Sequence, residues 1–304
     1  MYDIIIIGAG PAGLAAAVYG QRAEKKTLLI DEKGYGGQII NTPEVENYPA
    51  IQKISGFEFA NNLYQQASNL GAELTFEKAI GIENKGDVKI VKTEGGAYET
   101  KTVIIATGAK NRPLGLDREE EMIGRGVAYC ATCDGAFYRG KTVAVIGGGN
   151  TALEDAEVLS SLADKVYLIH RRDAFRGEEA NVKRIHDKEN IEILLNKIPT
   201  ALLGEEKISG LEIEDKLTEE KTTLILDGVF VAIGQMPDNE AFAQQVHLDE
   251  KGYVTAGEDC LTKTGGIFVA GDCRTKKVRQ LATAVSDGAV AALAAVEYIN
   301  QEHI

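Results

Sequence analysis

Basic residues are scarce in this chain: 33 Lys and Arg stand against 46 Asp and Glu, for a formal net charge of −13. Binding to a phosphate backbone draws on counterion release by a basic surface, so a general nucleic-acid interface is excluded. Acidity of this size serves instead to keep a protein dispersed. Long apolar runs are also lacking. The stretch from Ala9 to Tyr19 is interrupted by Pro11 and Gly13, nothing reaches membrane-spanning length, and no membrane association is expected. Met1 leads through Asp3 into Ile4-Ile5-Ile6-Ile7 with no basic segment ahead, so no secretory signal is read and a cytoplasmic location is expected. Cysteines number only 4, as do histidines. So few thiols fit a reducing compartment, where they serve chemistry more than stapling. Cys260 and Cys273 are too far apart for a zinc ribbon or finger, and His170, His186, His247 and His303 are scattered, so no metal is expected. Cys260 and Cys273 read as small buried or half-buried thiols. A hydrophobic content of 44% and a charged content of 26% exclude disorder and collagen, and 304 residues suffice for two cores.

Glycine, by contrast, is plentiful at 33 residues, and it clusters in motifs. Asp3 to Ile7 is an apolar run of strand length, followed by Gly8-Ala9-Gly10-Pro11-Ala12-Gly13, a helical Ala/Leu stretch, and a second strand from Thr27 to Ile30 that ends in Asp31. This is a βαβ dinucleotide fingerprint in full context: the glycines permit a tight turn and close approach of a pyrophosphate to a helix N-terminus, and the acid holds ribose hydroxyls. The same grammar recurs. Thr142 to Ile146 leads into Gly147-Gly148-Gly149-Asn150-Thr151-Ala152, then a helix through Leu162 and a strand from Lys165 to Ile169. Where the acid should stand, the chain has His170-Arg171-Arg172, with Arg176 close behind. A carboxylate would repel a 2′-phosphate, whereas clustered guanidiniums bind it, so the second site is expected to take NADPH over NADH.

Each half also closes alike. Val103-Ile104-Ile105-Ala106-Thr107-Gly108 and Phe230-Val231-Ala232-Ile233-Gly234 are short apolar strands ending in glycine, with Pro113 and Pro237 as linker punctuation. Beyond Pro237 comes another apolar strand ending in Gly271-Asp272, then an Ala-rich stretch from Asp287 to Gln301 that reads as a helix. The second unit therefore looks inserted into the first. Shortly before the second fingerprint stands Cys130-Ala131-Thr132-Cys133-Asp134. A C-x-x-C spacing lets two thiols close an exchangeable disulfide. Taken alone it is equally compatible with half a zinc site or a buried structural pair.

This conjunction resembles the low-molecular-weight thioredoxin reductases, FAD proteins that pass electrons from NADPH through a redox disulfide to thioredoxin, and the resemblance covers essentially the whole chain. It implies an α/β fold of two Rossmann-like three-layer domains: a discontinuous FAD domain, residues 1–112 and 241–304, and an inserted NADPH domain, residues 113–240, carrying the C-x-x-C. It further implies that Gly8, Gly10, Pro11, Ala12, Gly13 and Asp31 hold the FAD pyrophosphate and ribose. Gly36, Gly37, Gln38 and Asn47 resemble segments that meet the flavin side, and Thr107 and Gly108 lie by the pocket. Gly271-Asp272 resembles the ribityl-binding turn, and Arg279-Gln280-Leu281 resembles the helix start beside the isoalloxazine. NADPH falls to Gly147, Gly149, Asn150, Thr151, Ala152, His170, Arg171, Arg172 and Arg176. Cys130, Cys133 and Asp134 are the expected catalytic residues: Cys133 as the flavin-facing sulfur, and Asp134 as general acid and base because no histidine is near in sequence. A homodimer and a thioredoxin-like partner are implied too. Three positions depart from the commonest pattern: Leu281 where a small residue is usual, Pro49-Ala50 for Pro-Gly, and Asp31 for Glu.

Because one inserted domain would carry both the dithiol and the NADPH site, each needing a single flavin, the resemblance implies rotation about linkers near Arg112 to Leu116 and Gln235 to Glu240. Rival readings are a related enzyme drawing on ferredoxin or passing electrons to oxygen, a ferredoxin–NADP reductase, and a non-enzymatic dinucleotide sensor. The intact second fingerprint with its arginines argues against the first, and Cys130 and Cys133 against the second. Nothing positively supports the third.

Overall fold

The run Ile4-Ile5-Ile6-Ile7 is apolar at every position because the strand it forms is covered on both faces. In the computed structural model, which describes residues 1–42 and 44–301, this strand is β1 (Tyr2–Ile7). Of the scattered histidines, His303 lies outside the described residues. After β1 come helix α1 (Pro11–Arg22), β2 (Thr27–Ile30), helix α2 (Gly56–Asn69), β3 (Glu73–Thr75), β4 (Ala79–Lys85), β5 (Val88–Thr93) and β6 (Ala97–Ile105). They form a sheet in the order β3-β2-β1-β6-β5-β4. β1 is parallel to both β2 and β6, with Ile4 opposite Thr27 and Thr102, while β4, β5 and β6 form an antiparallel meander.

The chain divides into two units, Met1–Lys110 with the part from Met236 onward, and Asn111–Gln235. Short strands β7 (Ala109–Asn111) and β16 (Gln235–Pro237) lie at the two passages. The sequence placed these passages after residues 112 and 240; the division by contact falls after 110 and 235.

The second unit holds β8 (Val127–Ala128), helix α3 (Ala131–Asp134), β9 (Thr142–Ile146), α4 (Asn150–Ser160), β10 (Lys165–His170), α5 (Glu179–His186), β11 (Ile191–Leu195), β12 (Lys197–Leu203), β13 (Gly210–Asp215), β14 (Lys221–Ile225) and β15 (Gly228–Val231). Its parallel sheet runs β11-β10-β9-β15-β8, and β12-β13-β14 form a separate antiparallel sheet. Val143, Val145, Val166, Leu168 and Phe230 pack with Leu153, Ala156, Leu159 and Ile185 on the helical side. Ala144, Ile146, Ile169, Val229 and Val231 pack with Ile208, Leu211, Ile213 and Leu224 on the antiparallel side. Helices, parallel sheet and antiparallel sheet make three layers.

Back in the first unit, β17 (Ile267–Val269) pairs in parallel with β6, and α6 (Leu281–Gln301) ends the described chain. One face of the large sheet, with Ile4, Ile6, Leu29, Ile104 and Phe268, is covered by α1 and α6. The opposite face, with Ile5, Ile7, Leu28, Ile30, Val103 and Ile105, is covered by Phe242, Val246 and Val254. The two helices meet through small residues: a Cβ at Gly288 would lie 2.1 Å from the Ala12 carbonyl oxygen.

The expectation that nothing reaches membrane-spanning length is corrected by α6, whose 21 residues are long and apolar enough to cross a bilayer. It begins at Leu281, ahead of the Asp287 start of the Ala-rich stretch, and the added residues give it that length. Its apolar side serves the core: Ala291, Ala292, Ala295 and Ile299 are fully buried in the cluster with α1.

Candidate active site

The first glycine turn is a place where only glycine fits. Gly8 sits at φ +108°, and a Cβ there would lie 2.3 Å from the Ala106 carbonyl oxygen; one at Gly13 would lie 1.9 Å from the Gly8 carbonyl oxygen. Strand, turn and helix are thus in backbone contact, which leaves the start of α1 open to a ligand. Gly10 is its N-cap without any side-chain cap, and Pro11 occupies the first turn, where its missing N–H costs nothing. Unsatisfied amides at a helix N-terminus are a pyrophosphate site. Asp31 accepts hydrogen bonds from the amides of Ala9 at 2.8 Å and Lys33 at 2.9 Å, so its carboxylate is held at the edge of this turn.

Remote segments converge there. A Cβ at Gly37, φ +63°, would lie 3.1 Å from Gly10 Cα, and the Gly36 amide donates to the Ala9 carbonyl at 2.8 Å. Gln38 donates to the Ala109 carbonyl. Asn47 donates to Gln280 at 3.3 Å, joining positions from opposite ends of the chain. Gly271, φ +81°, packs on α1, where a Cβ would lie 2.8 Å from that of Ala12. Next to it, Asp272 has a buried Oδ1 without a partner among the described residues, and burial pushes its carboxyl above the ordinary value. Arg279 lies over the Tyr253 ring at 4.2 Å and donates to the Asp272 carbonyl at 3.3 Å; Leu281 opens α6. Thr107 donates to Asn239 at 2.8 Å, and Gly108 has nothing within 4 Å of a Cβ. An open helix N-terminus, an acid held at its glycine turn and an orphaned buried carboxylate oxygen fit FAD.

The second turn repeats the geometry. A Cβ at Gly147 would lie 2.4 Å from the Ala232 carbonyl oxygen, Gly149 caps α4 without a side-chain bond, and Ala152 is buried beneath, while Thr151 is exposed. Asn150 accepts from the Glu178 amide at 2.7 Å, and the Arg176 amide donates to the Gly148 carbonyl at 2.7 Å, so the arginine-bearing loop is tied to the glycine turn. Arg171, Arg172 and Arg176 are exposed, and among the described residues none pairs with a carboxylate. Unpaired guanidiniums beside a nucleotide turn fit a 2′-phosphate. His170 differs from them. It is 4% exposed, stacks on Phe175, and stands where a Cβ on Gly148 would be, 2.2 Å from Nδ1. Burial and then Arg176 hold its pKa below the usual value, so it is a neutral wedge under the turn.

Cys130 and Cys133 form a disulfide spanning α3, with the Asp134 amide donating to the Cys130 carbonyl at 3.0 Å. The two cysteines bond each other here, so they stand as a disulfide and not as two free thiols. Cys260 and Cys273 are both fully buried, and burial raises both thiols, Cys260 to about 12, so neither is poised to exchange. Among the described residues Asp134 Oδ1 is buried without a partner, and burial pushes the carboxyl up to about 6.

Three groups escaped the sequence reading. Asp155 on α4, pushed up to about 7 by burial, accepts from the Ala131 amide at the start of α3. Asn239 is 1% exposed and bonds Thr107, the Gly252 carbonyl and the Cys273 carbonyl. Asp287 forms a buried ion cluster. No spacing rule marks any of them, because their partners are distant in sequence or belong to the backbone.

Comparison with known proteins identifies the family. Residues 2–288 match the family model described as pyridine nucleotide-disulphide oxidoreductase. The chain is 44% identical over 300 residues to a thioredoxin reductase of Treponema pallidum, covering 98% of this chain and 97% of that protein. It is 40% identical over 302 residues to a thioredoxin reductase of Bacillus subtilis, covering 99% and 96%. A crystal structure of thioredoxin reductase from Streptococcus pyogenes superposes with a TM-score of 0.93 at 39% identity, covering 99% of each chain. With those matches spanning the whole length, the chain belongs to the low-molecular-weight thioredoxin reductases, a branch of the pyridine nucleotide-disulphide oxidoreductases that works with FAD and NADPH.

Proposed function

We propose that the first unit holds FAD through Gly8, Gly10, Pro11, Ala12, Gly13, Asp31, Gly36, Gly37, Gln38, Asn47, Thr107, Gly108, Gly271, Asp272, Arg279, Gln280 and Leu281. The second unit holds NADPH through Gly147, Gly149, Asn150, Thr151, Ala152, Arg171, Arg172 and Arg176, with His170 shaping the turn, and presents Cys130 and Cys133 to a thioredoxin-like protein. FAD, when bound, would supply the two-electron chemistry that links NADPH to reduction of the Cys130–Cys133 disulfide. Two electrons and two protons then stand on the dithiol. One thiolate attacks the partner's disulfide, the mixed disulfide is displaced by the second thiol, and the partner leaves as a dithiol while Cys130–Cys133 re-forms. The observation that carries this reading is the disulfide adjoining half-buried Asp134, whose Oδ1 is buried without a partner among the described residues and whose carboxyl burial raises to about 6. A carboxyl with that pKa can give a proton to a departing thiolate and recover it near neutral pH.

The protein works, on this reading, as a cytoplasmic homodimer, with no nucleic acid or membrane involved. An anaerobic titration tests the donor and the acceptor together: NADPH should bleach the flavin, and added thioredoxin should restore its colour. Failure to bleach overturns the donor. If C130S/C133S bleaches with NADPH and also reduces thioredoxin, the dithiol relay is wrong.

A further inference from the structure

We propose that Asp287 is a positioning residue for the flavin site: through a buried ion cluster with Arg274 and Lys276 it fixes the turn that presents the Asp272 carboxylate, a role that rests on the assignment of FAD to the first unit. The side chains of Asp287, Arg274 and Lys276 are 6%, 1% and 5% exposed. Arg274 grips the Asp287 carboxylate with both arms, Nε to Oδ2 at 2.8 Å and Nη2 to Oδ1 at 2.9 Å. Lys276 Nζ donates to Oδ2 at 2.9 Å, and so does the Gly271 amide at 3.0 Å. One carboxylate on α6 therefore ties down the residue just before Asp272, the residue two beyond it, and a third further on.

Burial would raise the Asp287 carboxyl, but the hydrogen bonds from Arg274 and Lys276 outweigh it and hold the group below its ordinary value. The carboxylate stays charged, and it balances cations that would otherwise be stranded in the core. Glu258 also reaches Arg274, at 3.2 Å, but is 91% exposed and cannot replace Asp287. The tether has somewhere to transmit its effect. Gly271 is pressed on Ala12 at the first glycine turn, Gly288 follows Asp287 against the Ala12 carbonyl, and Lys276 reaches the carbonyl of Thr283, whose hydroxyl accepts from the Gln280 amide. The cluster thus joins three segments assigned to the flavin: the pyrophosphate turn, the Asp272 turn and the start of α6. Buried ion pairs add little net stability over an apolar replacement, and fixing one geometry is among the uses that retain them.

The test separates geometry from folding by measuring FAD affinity of the deflavinated protein, through quenching of flavin fluorescence, alongside the melting temperature without FAD. Asp287→Asn strands two cations and should lower both. The neutral variant D287L/R274M/K276M removes the stranded charge and should recover the melting temperature while binding FAD roughly tenfold or more weakly than the parent. Arg274→Lys keeps the charge and loses the two-armed grip, so it should fold and still bind FAD several-fold more weakly. If the neutral variant regains parental FAD affinity, or Arg274→Lys leaves it unchanged, the cluster is only structural and the proposal fails. Asp272→Asn is the control for the underlying assignment. If it binds FAD like the parent, the flavin-site reading itself is wrong, whatever the Asp287 variants do.

Discussion

Asp134 and Ala50 show what single residues decide. Asp134 has a carboxyl that burial lifts from 3.8 to about 6, so it is protonated below that pH and ionised above it. A raised value means the native state favours the proton: that contribution to stability is complete below the unfolded value and is lost as pH rises through about 6. Asp134→Asn, which cannot shuttle a proton, should lower thioredoxin-linked turnover roughly 100-fold and erase the pH dependence near 6. A steady-state pH profile checks both. Ala50, which stands where glycine is usual, adopts φ +71°, a left-handed conformation that clashes with a Cβ. Ala50→Gly should raise stability by about 1 kcal/mol, relief of that strain outweighing the added freedom of the unfolded chain, as read by denaturant unfolding. The Pro-Ala departure was legible in the sequence. That it carries backbone strain was not, because φ depends on the loop around it.

At the scale of elements, the loop after β10 distinguishes the second proposed nucleotide site from the first. β2 is followed by Asp31, which turns its carboxylate back on the first glycine turn; β10 ends in His170, which goes inward and leaves Arg171 and Arg172 outside. R171A/R172A should raise KM for NADPH at least roughly tenfold and leave KM for NADH within about twofold, since only the 2′-phosphate loses charge-assisted bonds. Parallel loss with both nucleotides would place the arginines elsewhere. Both βαβ elements were readable in sequence because a strand, its turn and its helix are consecutive. The burial of His170 was not: it follows from Gly148 having no side chain and from Phe175 closing over the ring.

For the whole molecule, the division into two units puts the proposed flavin residues in one and both the nucleotide turn and the dithiol in the other. If each must reach the same flavin, no rigid arrangement completes turnover. A reversible cross-link between the units should allow one half-reaction, either flavin reduction by NADPH or dithiol oxidation by flavin, and block the other. Rapid-reaction absorbance of the flavin distinguishes them, and full turnover in the locked protein would reject domain rotation. The buried Cys260 and Cys273 thiols would not compete with cysteines introduced for a cross-link that is formed while Cys130–Cys133 is oxidised.

The sequence by itself determined two dinucleotide turns and a C-x-x-C ahead of the second, because glycine turns, the acid-for-arginine exchange and the cysteine spacing are written in consecutive residues; FAD and the redox role of the pair came with the family resemblance those motifs carry. It also set the two halves, since each repeats strand, turn, helix and strand. Only the tertiary structure decided what surrounds these motifs. It left Asp134 Oδ1 and Asp272 Oδ1 buried without partners among the described residues, joined Asn47 to Gln280, and closed Asp287 on Arg274 and Lys276. Those outcomes depend on segments far apart in the chain being pressed into one core, where burial strips water from a polar group and the nearest neighbour, not the nearest residue in sequence, sets its charge.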